Sequence, residues 1–248
     1  MNNLIVANWK MNPTSQKEAK NIFDAIKKGA KSDKVEVVIC PPFIYLPLLS
    51  GLTLGAQNCF WQESGTYTGE ISPSMLKDLG VKYVIIGHSE RRKYFGETDE
   101  QVNKKLKAVL AAGLNPILCI GENAEQREKG ETEMILKNQL IIGMGGIEVG
   151  DNFTVAYEPI WAISGGDPYK TKELPTPEKV EKTNSYIRGI LEGMYGKKVA
   201  DSIRIIYGGS ANAGNAKDYL ENAKVQGFLV GGASLRPDDF NQIVKSAE

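Results

Sequence analysis

LIVANWKMNPTSQKEAKNIFDAIKKG, residues 4–29, holds one complete unit of the fold. Residues 4–8 (LIVAN) are an apolar run that reads as a strand. Pro13 and Thr14 follow as a turn and a helix cap. From Ser15 onward Ala19, Ile22, Phe23 and Ile26 fall on one helical face, and Gly29 supplies the stop. The unit then repeats. Further strands are expected at 35–40 (closed by Pro41-Pro42), 52–57, 83–86, 116–120, 153–157, 203–206 and 227–230. Helices are expected from Ser72-Pro73 to Leu79, over 98–112, over most of 124–141, from Thr176-Pro177-Glu178 to Tyr195, from near Ala213, and over 237–247.

Several strands are uniformly apolar, as in a parallel sheet covered on both faces. Regular alternation with helices points to an α/β protein. The pattern favours a closed (β/α)8 barrel spanning 1–248 as a single domain, since such barrels occupy ~250 residues. A doubly wound sheet fits the same alternation, although no G-x-G-x-x-G follows the first strand.

Lys plus Arg number 30 and Asp plus Glu 30, giving zero formal net charge. A nucleic-acid surface would need clustered excess cations, so none is expected. No apolar run reaches the ~18 residues of a membrane span, and the N-terminus lacks a signal-peptide pattern. Cys40, Cys59 and Cys119 are odd in number and widely spaced, which suits a reducing cytoplasm and small buried side chains rather than disulfides. His88 is the only histidine, which excludes a histidine-rich metal site.

Polar residues collect just after the strands: Asn8 and Lys10, His88 and Glu90, Glu158, Gly208-Gly209-Ser210, and Gly231-Gly232. In a parallel barrel these C-terminal ends converge on one mouth, where barrel active sites lie. Glu158, beside Tyr157 and Trp161, suits a partly desolvated general base, although taken alone it reads more readily as an exposed carboxylate paired with a cation. An imidazole at His88 is able to pass protons between adjacent oxygens, or simply to hydrogen-bond backbone. Lys10 offers a cation for a phosphate or an enediolate, or is a solvated lysine. The glycine pairs suit backbone amides approaching an anion, or plain turns.

These residues resemble the triosephosphate isomerase family along nearly the whole chain. The matching stretches are Ala7-Asn8-Trp9-Lys10-Met11-Asn12, Gly55-Ala56-Gln57-Asn58, Thr68-Gly69-Glu70-Ile71-Ser72 and Ile86-Gly87-His88-Ser89-Glu90-Arg91-Arg92. Tyr157-Glu158-Pro159-Ile160-Trp161-Ala162-Ile163, Tyr207-Gly208-Gly209-Ser210 and Gly231-Gly232-Ala233-Ser234-Leu235 complete the set. The resemblance implies a TIM barrel that interconverts dihydroxyacetone phosphate and D-glyceraldehyde 3-phosphate in glycolysis and gluconeogenesis, without cofactor or metal. It implies Glu158 as base and His88 as the electrophile and proton shuttle, in a family that is itself the standard example of a glutamate base with a neutral histidine. It implies Lys10 as the attracting cation, Asn8 as a hydrogen-bond donor and Glu90 as the supporting carboxylate beside Lys10. The amides around Ser210, Gly231 and Gly232 would hold phosphate. The loop after Trp161 would be a lid that excludes water.

The resemblance also implies a homodimer, with the loop from Cys59 to Glu70 reaching into its neighbour and Thr68 inserted there. Trp61 and Tyr67 suit interface anchors. The lid departs from the family pattern. Residues 163–177 (ISGGDPYKTKELPTP) are longer than expected, with Ser164 where a phosphate-gripping glycine belongs. The amide of Ser164 or Gly165 is expected to reach the phosphate, with hinges at Pro159-Ile160-Trp161 and Leu174-Pro175-Thr176. Residues 167–173 are expected to form a solvated outer flap. A metal-dependent sugar-phosphate epimerase, an aldolase-like lyase or a catalytically dead binding barrel are the alternatives, and the Asn8, Lys10, His88 and Glu158 set argues against all three.

Overall fold

The computed structural model describes residues 1–30, 32–163 and 173–248. Eight strands run parallel in chain order: β1 (Asn3–Asn8), β2 (Val35–Cys40), β3 (Thr53–Ala56), β4 (Tyr83–Ile86), β5 (Asn115–Ile120), β6 (Thr154–Tyr157), β7 (Arg204–Tyr207) and β8 (Gly227–Val230). β1 pairs with β8, from Leu4 opposite Gly227 to Ala7 opposite Val230, so the sheet closes into a barrel. That closure removes the doubly wound alternative.

Burial explains why the strands are apolar throughout. Leu4 and Val6, Val38 and Cys40, Tyr83 and Ile85, Ile117 and Cys119, Ala156, Ile206 and Leu229 form one cluster inside the barrel. The alternating residues, among them Ile5, Ala7, Val37, Ile39, Val155 and Phe228, belong to a second core beneath the helices. Successive strand side chains point to opposite faces, and here both faces are packed. At the N-terminal end the interior turns polar. Tyr83 Oη donates to Glu36 Oε1 at 2.5 Å, and Arg204 Nη1 lies 2.9 Å from Glu36 Oε2, clasping β2, β4 and β7 together.

The helices are α1 (Gln16–Gly29), α2 (Pro73–Asp78), α3 (Ser89–Phe95), α4 (Asp99–Ala111), α5 (Ala124–Glu128), α6 (Thr132–Gly143), α7 (Pro177–Tyr195), α8 (Lys197–Ser202), α9 (Ala216–Asn222) and α10 (Pro237–Ser246). Among the described residues no helix is long and apolar enough to cross a membrane. The cap of α1 is Ser15, whose hydroxyl accepts from the Glu18 amide, and not Thr14 as the sequence suggested. The helix expected over 124–141 is two pieces, α5 and α6. Asn123 and Gln126 form a capping box at the start of α5, and Gly130, at φ +71°, sits between the pieces.

Candidate active site

Strand parity carries the first site residues to the mouth. The face that points Leu4 and Val6 inward also carries Asn8, and the face of Ala156 carries Glu158. Both are buried. Lys10 follows two residues later with φ +54°, a left-handed conformation rare for a side-chain-bearing residue. Its amide donates to Asn8 Oδ1 at 3.0 Å, and its carbonyl accepts from Gln57 Nε2 at 2.8 Å. Its ammonium meets Glu90 Oε1 at 2.5 Å.

After β4, Gly87 turns the chain at φ +72°, and His88 becomes the N-terminal cap of α3. The Glu90 amide donates to His88 Nδ1 at 3.2 Å. That bond makes Nδ1 an acceptor, so the proton of the neutral imidazole rides on Nε2. Nε2 lies 3.1 Å from Glu158 Oε1. The contact is close but poorly aligned, and Oε1 is left without a hydrogen bond while Oε2 accepts from the Ser89 amide at 3.0 Å. One carboxylate oxygen is therefore anchored and the other is poised beside the imidazole.

Gly208 is required by close approach. A Cβ there would lie 2.7 Å from Glu158 Cγ and 3.3 Å from the Tyr157 carbonyl. Ser210 Oγ donates to the Ala162 carbonyl at 2.6 Å, tying the loop after β7 to the short 3-10 helix Ile160–Ala162 at the start of the lid. After β8, Gly231 and Gly232 enter another 3-10 turn, Gly232–Leu235, and Ser234 donates back to the Gly231 carbonyl through both N–H and Oγ. A Cβ on Gly231 would sit 3.4 Å from Lys10 Cε, so the ammonium and these glycines face the same space.

All these groups line one cavity of about 270 Å³: Asn8, Lys10, His88, Glu158, Ser210, Gly231 and Gly232. Glu90 joins through Lys10. Thr68 is exposed and is not among the residues lining this cavity. Ser164 and Gly165, with the lid tip, lie outside the described residues. Among the described residues no group of three His, Cys, Asp or Glu side chains is placed to hold a metal ion.

Two contributors escaped the sequence reading. Arg236 also lines the cavity. Glu122, after β5, accepts from Trp161 Nε1 at 2.8 Å and from Tyr157 Oη at 3.2 Å, bracing the strand end that carries Glu158. Burial pushes the Glu122 carboxyl above its ordinary range, against the opposing pull of those hydrogen bonds. A further network involves Asn58, in the loop after β3. Lys105 pairs with Glu97 in the interior and donates to Asn58 Oδ1 at 2.8 Å. Burial pushes the neighbouring Cys59 thiol up to about 12. Partners that distant in sequence give no local signal.

The family model described as Triosephosphate isomerase matches residues 3–247. A triosephosphate isomerase of Clostridium botulinum is 47% identical over 97% of this chain and 98% of its own length. One of Alkaliphilus oremlandii is 46% identical over the same shares, and one of Dictyoglomus thermophilum is 46% identical over 98% of each chain. With an eight-stranded closed barrel and a match over nearly its whole length, the chain belongs to the triosephosphate isomerase family.

Proposed function

We propose that Glu158, His88, Lys10 and Asn8 carry out the isomerisation of dihydroxyacetone phosphate and D-glyceraldehyde 3-phosphate that membership of this glycolytic family entails. The observation that carries the assignment is the meeting of a buried carboxylate, an Nε2-protonated imidazole and an ammonium around one cavity that also holds the glycine turns. Glu158 takes a proton from the carbon beside the carbonyl, and the electron pair moves onto the carbonyl oxygen. His88 Nε2–H gives its proton to that oxygen and recovers one from the neighbouring hydroxyl. Glu158 then returns its proton to the adjacent carbon. Lys10 offsets the negative charge of the enediolate. Asn8 holds the Lys10 amide and orients the residue. The amides of Ser210, Gly231 and Gly232 receive the phosphate.

Two proton transfers need neither cofactor nor metal. A coupled assay with glyceraldehyde 3-phosphate should therefore give full turnover in EDTA. Activity lost to the chelator and restored by a divalent ion would point to a different barrel chemistry.

We read the whole chain, 1–248, as one barrel domain, working in the cytoplasm as a homodimer. Three buried free cysteines and the place of the family in glycolysis support the location. Exposed apolar side chains support the dimer. Met11, Ile44, Tyr67 and Phe95 are exposed on the segments that follow four successive barrel strands, β1 to β4. In the loop from Cys59 to Glu70, Phe60 packs against Trp61 and Tyr67 at ring distances of 4.1 and 4.8 Å. The aromatic cluster holds the loop in shape and presents Thr68 outward, as a loop entering a neighbour requires.

A further inference from the structure

We propose that Arg236 is the rim cation that recruits the substrate phosphate, and that Asp239 restrains it. The inference rests on the isomerase reading of the cavity and assigns a recruiting residue to it.

The charges around the cavity create a problem for an anionic substrate. Lys10 is held by Glu90 at 2.5 Å, and Arg236 Nε by Asp239 Oδ2 at 2.5 Å. With Glu158, these groups amount to two cations against three carboxylates. A phosphate monoester brings roughly −1.5 to −2 charges at pH 7. The chain as a whole is neutral, so its net charge gives no long-range attraction. Recruitment falls to local cations.

The two cations differ in reach. Lys10 packs beside Gly231 with a side chain 22% exposed, whereas the Arg236 side chain is 65% exposed. Arg236 closes the turn begun by Gly232 and leads into Pro237 of α10, so it stands at the outer end of the segment read as the phosphate site. Its bond to Asp239 uses Nε. The terminal Nη pair is the end of a guanidinium that meets phosphate oxygens two at a time. An exposed rim charge acts mainly on association and on its salt dependence. Asp239, three residues on, competes with the arriving phosphate for the same side chain.

The test uses full-length enzyme and two substrates, glyceraldehyde 3-phosphate and uncharged glyceraldehyde. Arg236→Gln should lower kcat/KM for the phosphorylated substrate by about fivefold at low ionic strength, mainly through KM, and the deficit should shrink toward 1 M salt as screening shortens. Arg236→Lys should keep the salt dependence. Asp239→Asn should raise kcat/KM about twofold at low salt. Turnover of glyceraldehyde should be unchanged in Asp239→Asn and should fall far less than that of glyceraldehyde 3-phosphate in the Arg236 variants. An unchanged Arg236→Gln, a loss that salt does not diminish, an equal loss on glyceraldehyde, or a loss in Asp239→Asn would each overturn the proposal. Wild-type turnover of glyceraldehyde 3-phosphate tests the underlying reading separately.

Discussion

Glu122 and Glu158 are both buried carboxylates on the same side of the barrel, yet their surroundings fit them for different work. Glu158 has one oxygen anchored on the Ser89 amide and the other facing His88. Glu122 is held at both oxygens by Tyr157 and at one by Trp161, so it braces rather than reacts. Its carboxyl is raised by burial. A carboxyl raised in the folded state keeps its proton when the unfolded chain has lost it. Stability therefore falls as pH rises from the unfolded value, ~4.3, through the higher folded one. Glu122→Gln keeps an acceptor for Trp161 and removes the charge. It should raise Tm by a few degrees at pH 8 and leave it unchanged near pH 3, where the glutamate is neutral in both states. A Tm that falls at pH 8 would show that the ionised hydrogen bonds outweigh the desolvation.

The residues proposed for the site were legible because they stand at strand ends in motifs. Asn8, His88 and Glu158 each follow a run of core side chains, and the barrel brings those ends together. Glu122 and Arg236 were not legible. The partners of Glu122, Tyr157 and Trp161, lie 35 and 39 residues away in sequence, and Arg236 stands out only by the cavity it lines.

Among the elements, β2, β4 and β8 have the bounds their apolar runs suggest. α3 was missed because SERRKYF carries no apolar stripe; it forms because His88 caps it and Gly96, at φ +65°, ends it. α8 was missed for the same reason, being six residues with Ala200 as its buried side chain. The loop after β7 is where element geometry bears most directly on chemistry. Gly208 leaves room for Glu158 Cγ, and its neighbour Gly209 lies against the Tyr207 hydroxyl. Gly208→Ala should fold normally, since its φ is not in the left-handed region, but it should push the carboxylate off position. Misplacement by about 1 Å costs up to ~10²-fold in rate. Turnover should therefore fall at least about tenfold with little change in Tm. Wild-type turnover would mean that the carboxylate moves away without loss.

At the scale of the whole molecule the proposal is a homodimer. The proposed interface uses the loops after β1 to β4, and the loop from Cys59 to Glu70 is stiffened by the Lys105, Glu97 and Asn58 network and by the Phe60 amide bonded to the Ile71 carbonyl at 2.8 Å. Replacing residues 62–69 with a short turn leaves Cys59, Phe60 and that network in place. Sedimentation should then show monomers, and activity should fall more than about tenfold, because Lys10 sits on the neighbouring loop. A wild-type protein that is monomeric at micromolar concentration would contradict the dimer.

In the proposed mechanism Glu158 moves the proton in a cavity whose phosphate site is independent of it. Measuring turnover of glyceraldehyde 3-phosphate by Glu158→Gln, together with inhibition by inorganic phosphate, tests it most directly. The substitution preserves size and an oxygen to accept from the Ser89 amide but removes the base. Turnover should fall by ~10²–10⁴-fold while phosphate inhibits as it does in the wild type. Turnover close to wild type would show that another group takes the proton.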